Sequence, residues 1–234
     1  MEKKSWELST EQVSETRKFD LYNNYVYSQR EGFEKIMNFI NDLTNHLKEE
    51  GKISDLFEIR ARIKAPKSAI HNDPNKALND VFGMEIITAT ETELKVVMEA
   101  ISEYMKKVKE KDHDKSNGYK AFHRLLDFKT DKLEVLGDNI EHLQFPLVEI
   151  QFKTMEVAVK CSGGTADHML YKGETKEEVQ AKYDNGEYSI FTNIPTMWIS
   201  RNGELRMLSP DETLKKMYPF LKLKDKNNEK SDKQ

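Results

Sequence analysis

The chain has 234 residues, of which 37% are hydrophobic and 33% are charged, and its net charge is −4. This size allows one ample domain or a domain with a small appendage. It has no apolar run long enough to cross a bilayer, its N-terminus lacks the apolar core of a signal peptide, and a single cysteine excludes an internal disulfide. We therefore expect a cytoplasmic protein with no membrane partner. The net negative charge argues against an extended nucleic-acid-binding surface but is compatible with a local phosphate-binding patch.

Four regions are predicted along the chain. Residues 1–52 form an N-terminal helical region, because apolar residues between Tyr25 and Leu47 recur at steps of three and four. Residues 53–183 form a core domain, residues 184–222 a C-terminal hairpin and helix, and residues 223–234 a disordered polar tail. The sequence leaves open whether residues 190–223 form an oligomer contact, a lid over a site, or part of a sheet.

A strand with a strongly basic face is predicted within residues 56–70. Its apolar residues alternate with Glu58, Arg60, Arg62 and Lys64. Cations at a strand end beside a turn can bind phosphate groups, although a solvated strand face explains the same charges.

The following segments alternate between strands and helices. Residues 79–88 form a turn into a strand, residues 90–108 a helix, and a strand opens at Tyr119 after an Asn-Gly turn. Residues 130–142 are expected to be a connection with one short strand. This order predicts an α+β fold with a mixed sheet of about five strands flanked by helices.

Residues 145–172 are predicted to form a buried strand followed by a helix. Glu149 and Gln151 alternate there with apolar residues. A carboxylate in such an apolar run is unexpected unless it has a partner or a function, because burying an unpaired charge is costly. Alternation alone would place both side chains on the wet face of the strand.

Four short motifs follow one another along this core. They are Arg62-x-Lys64-x-x-x-Ser68, Asp80-x-x-Gly83, Asn117-Gly118-Tyr119-x-x-x-His123, and Glu149-Ile150-Gln151 with a later His168-x-x-Tyr171-Lys172. Their order and spacing resemble the synthetase domain of the RelA/SpoT family, whose members make the alarmone ppGpp or its relatives. Each motif alone is weak, whereas the ordered set is specific. The resemblance covers roughly residues 25–172 and implies a nucleotidyltransferase-like fold in a small, stand-alone synthetase.

The resemblance implies a Mg²⁺-dependent transfer of pyrophosphate from ATP to the 3′-hydroxyl of GDP or GTP, within the stringent response. A hydroxyl is a poor nucleophile, so it needs a carboxylate as general base, and by resemblance this is Glu149. Asp80 resembles the ligand of the Mg²⁺ cofactor, and Glu149 is expected to approach the same ion.

The resemblance also assigns two sets of nucleotide-binding residues. The donor phosphates would be bound by Arg62, Lys64 and Ser68, with Arg60 as a less certain helper. The acceptor would be bound by Tyr119, Asn117, His123, Gln151, Lys153 and His168. Among these, the ring of Tyr119 would stack on the guanine base.

The departures from the family pattern fall mainly on the donor side. Glu85 stands where the family usually has an arginine that packs on the donor adenine, and Lys153 replaces an arginine. A carboxylate cannot stack as a guanidinium does, and it repels phosphate. On this basis Glu85→Arg is predicted to tighten ATP binding.

Two alternatives to alarmone synthesis stay open. A toxin-like relative would transfer pyrophosphate to tRNA or to adenine nucleotides, and lysines near the C-terminus suit a tRNA partner. A catalytically inactive binding module would hold a guanine nucleotide, which Glu85 favours and the two carboxylates Asp80 and Glu149 argue against. The sequence also leaves a homo-oligomer open.

Overall fold

The computed structural model describes residues 15–70, 78, 80–116, 119–161, 175–201 and 203–223. Within them, seven strands form one mixed sheet. The strands are β1 (Phe57–Ile63), β2 (Phe82–Thr88), β3 (Met105–Asp114), β4 (Lys120–Phe128), β5 (Val148–Thr154), β6 (Thr196–Arg201) and β7 (Glu204–Met207). Their order across the sheet is β3-β4-β5-β2-β1-β6-β7. β2 and β5 are parallel, and every other neighbouring pair is antiparallel.

The helices connect and cover these strands. They are α1 (Glu15–Glu49), α2 (Pro66–Ala69), α3 (Glu91–Tyr104), α4 (Met155–Cys161), α5 (Lys176–Asp184) and α6 (Pro210–Met217), with a 3-10 helix at Thr130–Leu136. Thr90, Thr175 and Ser209 each close a capping box at the start of α3, α5 and α6. In each box the cap hydroxyl accepts from a backbone N–H three residues on, and the glutamate at that position accepts from the backbone N–H of the cap residue. Two backbone donors that a helix start would otherwise leave unsatisfied are thus paired.

The main core lies between one face of the sheet and the helices α1 and α3. Alternate residues of the central strands point into it, as Ile59, Ala61 and Ile63 do from β1. Phe33 of α1 packs against Phe82 of β2, with ring centroids 5.0 Å apart. Because side chains alternate along a strand, the polar residues between these apolar ones point to the opposite face. The candidate site lies on that face.

The prediction of an α+β fold with a mixed sheet is confirmed, but the sheet has seven strands rather than about five. The C-terminal hairpin accounts for two of them, since β6 pairs with β1 and so extends the sheet. The helix predicted over residues 90–108 ends at Tyr104, and the charged segment after it pairs with β4 as β3. Tertiary pairing outweighs local propensity in such a segment.

The predicted short strand within residues 130–142 is wrong, because that segment begins with a 3-10 helix. Lys132 N–H donates to the carbonyl of Lys129 at 3.0 Å, and the turn ends at Gly137 with φ of 91°. A left-handed backbone of this kind suits glycine. Among the described residues, no helix is long and apolar enough to span a membrane. The predicted disordered tail lies outside the described residues, apart from residue 223.

Candidate active site

Two rows of side chains cross the polar face of the sheet in register. In the first row, Arg62 on β1 pairs with Gly83 on β2, which pairs with Glu149 on β5. In the second row, the paired positions are Arg60, Glu85, Gln151 and His123. Residues that pair directly across strands lie side by side on one face. The sheet therefore brings together residues that are up to 91 positions apart in sequence, from Arg60 to Gln151.

Gly83 leaves a gap in the middle of the first row. A Cβ atom at this position would lie 3.5 Å from Arg62 Nε, in ordinary contact with the guanidinium group. The backbones of β1 and β5, on either side of β2, are separated by about 10 Å. The side chain of Arg62 extends over Gly83, and its positive charge helps to lower the pKa of the Glu149 carboxyl on the far side of this position. Arg62 is exposed, and it forms no ion pair with the residues that the structure describes.

Glu149 is held in the ionised form. His123 Nδ1 lies 3.5 Å from its Oε1 atom, and Gln151 Nε2 donates to the same oxygen at 2.9 Å. The interaction with His123 outweighs burial and, with Gln151, lowers the pKa of the Glu149 carboxyl to about 2. The side chain is 28% exposed, so it can reach a ligand in the cleft.

Tyr119 and His123 extend this arrangement towards β3. Burial raises the pKa of the Tyr119 phenol, so its O–H stays protonated at neutral pH. The phenol oxygen lies 2.7 Å from His123 Nε2. If Tyr119 donates to that nitrogen, the neutral imidazole has its proton on Nδ1, facing Glu149. The ammonium of Lys153 lies 5.5 Å from the centroid of the Tyr119 ring.

Asp80 and Lys64 form an ion pair at the edge of the cleft. Lys64 Nζ lies 2.6 Å from Asp80 Oδ2, and the Asp80 side chain is 36% exposed. The described residues contain no cluster of three or more side chains suited to a metal ion. Mg²⁺, however, is often held by one or two carboxylates, with water and substrate phosphates as the other ligands. Asp80 and Glu149, two carboxylates lining one cleft, fit this ion by their oxygen chemistry.

Glu85 and Lys153, two of the departures from the family pattern, are ion-pair partners. Lys153 Nζ lies 2.7 Å from Glu85 Oε1, and Arg60 Nη1 lies 3.2 Å from Glu85 Oε2. Burial opposes ionisation of Glu85, but the charges of Lys153 and Arg60 outweigh it and lower the pKa of the carboxyl to about 2. The negative charge of Glu85 is thus neutralised inside the protein rather than directed at a phosphate.

The cleft above these rows has a volume of about 490 Å³. Arg62, Asp80, Tyr119 and Glu149 line it, and so do residues from the C-terminal segment. That segment contributes Pro195, Met197, Lys216, Met217 and Tyr218. A lid formed by residues 190–223 was one of the alternatives that the sequence left open, but the sequence does not single out these five residues, because their place depends on the pairing of β6 with β1.

Among the remaining predicted site residues, Arg60 and Lys153 also line the cleft. Ser68 is exposed on α2 and is not among the residues that line the cleft. Arg60 and Lys153 are engaged with Glu85, and Lys153 is only 6% exposed. Asn117 and His168 lie outside the described residues. The binding roles of all these residues stay predictions.

Comparison with known proteins identifies the family. The family model described as "Region found in RelA / SpoT proteins" matches residues 58–176, which is more than half of the chain. The chain belongs to the RelA/SpoT family. The matched region of this RelA/SpoT chain contains Arg62, Asp80, Tyr119 and Glu149.

The chain is also similar to individual proteins of known sequence or structure. The chain is 29% identical over 120 residues to the probable chloroplastic GTP diphosphokinase CRSH of Arabidopsis thaliana, a match that covers 45% of this chain and 19% of that protein. Small alarmone synthetase 1 from Bacillus subtilis shares the fold, with a TM-score of 0.51 at 16% identity, over 71% of this chain and 88% of that one. A structure of the same synthetase bound to its product pppGpp has a TM-score of 0.52 at 17% identity, over 71% and 89% of the two chains.

Proposed function

We propose that this RelA/SpoT chain transfers the pyrophosphate group of ATP to the 3′-hydroxyl of GDP or GTP, with Mg²⁺ as cofactor. Family membership supports pyrophosphate transfer as the reaction class. The observation that carries the proposal is the row Arg62–Gly83–Glu149. It sets a cation and an ionised carboxylate near each other in one cleft, where the glycine between them leaves room for the Arg62 side chain. A triphosphate and an attacking hydroxyl require such a pair of groups.

In the proposed reaction the acceptor hydroxyl attacks the β-phosphorus of ATP. A bond forms between the 3′-oxygen and this phosphorus, the bond from the phosphorus to the α,β-bridging oxygen breaks, and AMP leaves. Glu149 accepts the hydroxyl proton. A carboxyl with a pKa of about 2 is a weak base, but it is fully ionised at neutral pH and accepts a hydrogen bond from the hydroxyl. Little proton removal is needed before attack, because phosphoryl transfer usually has a loose transition state.

The donor phosphates are assigned to Arg62, whose exposed guanidinium forms no ion pair within the described part of the chain. A guanidinium can bind two phosphate oxygens at once. Asp80 and Glu149 would hold Mg²⁺, and Asp80 offers a second oxygen besides the one that Lys64 contacts. When bound, Mg²⁺ would offset the negative charge of the triphosphate.

The acceptor is assigned to the other end of the cleft, beside β4. Tyr119 offers an aromatic ring for a purine base, and its hydroxyl is fixed by His123. His123 also faces Glu149, so it orients the general base and the acceptor-binding ring together. His123 is thus a positioning residue in this scheme.

Glu149→Gln tests the proposal, because the amide keeps the shape of the side chain and loses the base. We expect AMP formation in the presence of ATP, Mg²⁺ and GDP to fall by about 10²-fold or more, since general bases contribute on that order. Binding of GDP, measured by calorimetry, should be retained. Glu34→Gln is the matched control, since Glu34 forms an exposed ion pair with Arg30 on α1. An active Glu149→Gln variant would remove the basis of the proposed mechanism.

A further inference from the structure

Five charged side chains form a continuous ion chain from the C-terminal helix to the centre of the sheet. Lys216 Nζ of α6 lies 3.0 Å from Glu58 Oε1, and Glu58 also binds Arg60 on the same strand. Arg60 then contacts Glu85 on β2, which contacts Lys153 on β5. Cations and carboxylates alternate along this ion chain, which therefore has three positive and two negative charges. Its members retain between 6% and 31% of their side-chain exposure.

The ion chain links Glu85, one of the residues that departs from the family pattern, to helix α6. Glu85 stands at the centre of the sheet and Lys216 at the end of the C-terminal helix, yet only Arg60 and Glu58 lie between them. An arginine at position 85 would face two cations instead of completing the alternation. Glu85 therefore supports the docking of α6 on the sheet.

The residues directly after Lys216 form a wall of the cleft. Met217 and Tyr218 line it, together with Met197 of β6. Met197 pairs in register with Arg62, so this apolar wall begins beside the exposed guanidinium of the first row. The Tyr218 ring packs against Tyr188, with centroids 6.0 Å apart, and its backbone N–H donates to Leu214 at the end of α6. The wall is thus fixed in place by packing and hydrogen bonding.

The wall lies at the opposite end of the cleft from Tyr119. The strands between them follow the order β4-β5-β2-β1-β6, and four strand spacings amount to about 19 Å. Arg62 and Glu149 occupy the middle of this span. Arg62 and Glu149 thus lie between two ends of the cleft that each carry an aromatic side chain, Tyr119 at one end and Tyr218 at the other.

We propose that the ion chain from Lys216 to Lys153 docks α6 so that Met217, Tyr218 and Met197 form the contact surface for the purine base of the donor nucleotide. This inference rests on the proposed function, in which ATP is the donor. The aromatic and thioether side chains offer stacking and dispersion contacts to a base. The carboxylate of Glu85, which is held by Lys153 and Arg60, offers no such contact.

Photolabelling of the unmodified protein with 8-azido-ATP tests the location of the base. Trypsin cleaves after Lys216 and Lys222, which releases residues 217–222 as one peptide, and after Lys182 and Arg201, which releases residues 183–201 with Met197. We expect ATP-protectable label in one or both of these peptides. Label confined to residues 77–95, the peptide with Glu85, would overturn the inference, and so would the absence of ATP-protectable label from both C-terminal peptides.

Binding measurements separate this inference from the proposed function. The variant Met217→Ala/Tyr218→Ala should bind a non-hydrolysable ATP analogue about tenfold more weakly, while its affinities for inorganic tripolyphosphate and GDP stay unchanged. Met207→Ala is the matched control, since Met207 is an exposed methionine of β7 that does not line the cleft. Tyr218→Phe keeps the ring and should bind as the wild type does.

The outcomes of these measurements are distinct. Unchanged affinity for the ATP analogue in the double variant would overturn the inference and leave pyrophosphate transfer intact. Equal loss of affinity in Tyr218→Phe and in the double variant would also overturn it, because the hydroxyl rather than the ring face would then be responsible. Wild-type protein that binds neither the ATP analogue nor tripolyphosphate would contradict the proposed function itself.

Discussion

Replacing Glu85 with glutamine should destabilise the fold more than its position on a partly open surface suggests. The variant keeps the size of the side chain but leaves Lys153 and Arg60 close together without the carboxylate between them. Lowering the pKa of Glu85 from its ordinary value of 4.5 to about 2 corresponds to about 3 kcal/mol in favour of the ionised carboxylate. Because the side chain is 31% exposed, solvent screening reduces the expected loss to about 2 kcal/mol.

The loss of folding stability in Glu85→Gln should be larger at neutral pH than at acid pH. The folded-state pKa is depressed, so the stabilisation is complete above the unfolded value near 4.5 and is lost as pH falls towards 2. Urea unfolding of wild type and Glu85→Gln should therefore differ by about 2 kcal/mol at pH 7 and by less than half of that at pH 3. The control Glu34→Gln removes an exposed ion pair and should cost about 0.5 kcal/mol at pH 7. Equal losses for Glu85→Gln and Glu34→Gln would refute the reasoning.

Four further substitutions test separate parts of the site. Glu85→Arg should weaken binding of an ATP analogue, opposite to the expectation from sequence, because the new guanidinium would face two cations; tighter binding by calorimetry would contradict the ion chain. Arg62→Ala should raise the KM for ATP about tenfold or more, with the KM for GDP nearly unchanged in steady-state assays. Tyr119→Ala should do the reverse, raising the KM for GDP about tenfold, whereas Tyr119→Phe should keep most of the affinity. His123→Asn should raise the pKa of Glu149 and so move the acid limb of the pH profile of kcat/KM to higher pH. An acid limb at the wild-type pH would show that His123 does not set the pKa of the general base.

The sequence predicts the central strands and their polar face because both depend on local alternation. In β1, buried Ile59 and Ala61 alternate with Arg60 and Arg62, as the period-2 pattern requires. The same rule places Glu149 on the face opposite the core. The ordered motifs then identify the family, which the match to residues 58–176 shows.

The ion chain could not be predicted from the sequence, because it depends on contacts between distant segments. Lys216 and Glu58 are 158 residues apart, and Lys153 and Glu85 are 68 residues apart. The sequence presents Glu85 and Lys153 as two unrelated departures from a family pattern. Only the parallel pairing of β2 with β5 brings them together as partners.

The position of the C-terminal hairpin in the sheet also could not be predicted from the sequence. The turn near Gly203 predicts two antiparallel strands, but no local signal indicates which sheet edge they join. In the structure, Asn41 Nδ2 and Asn45 Nδ2 of α1 donate to the carbonyl of Gly203 at 2.6 and 2.9 Å. These bonds help to fix the hairpin beside β1, where Met197 lies next to Arg62.

The central claim is that this chain moves pyrophosphate from ATP to a guanine nucleotide. The most direct measurement is to incubate the purified chain with Mg²⁺ and γ-labelled ATP, in separate reactions with GDP, GTP, GMP and deacylated tRNA, and to resolve the products. We predict label on GDP or GTP, with AMP formed in equal amount. Label on tRNA would instead support the toxin-like alternative. Label that stays on ATP with every acceptor, in protein that binds guanine nucleotide by calorimetry, would contradict the claim and support a binding module.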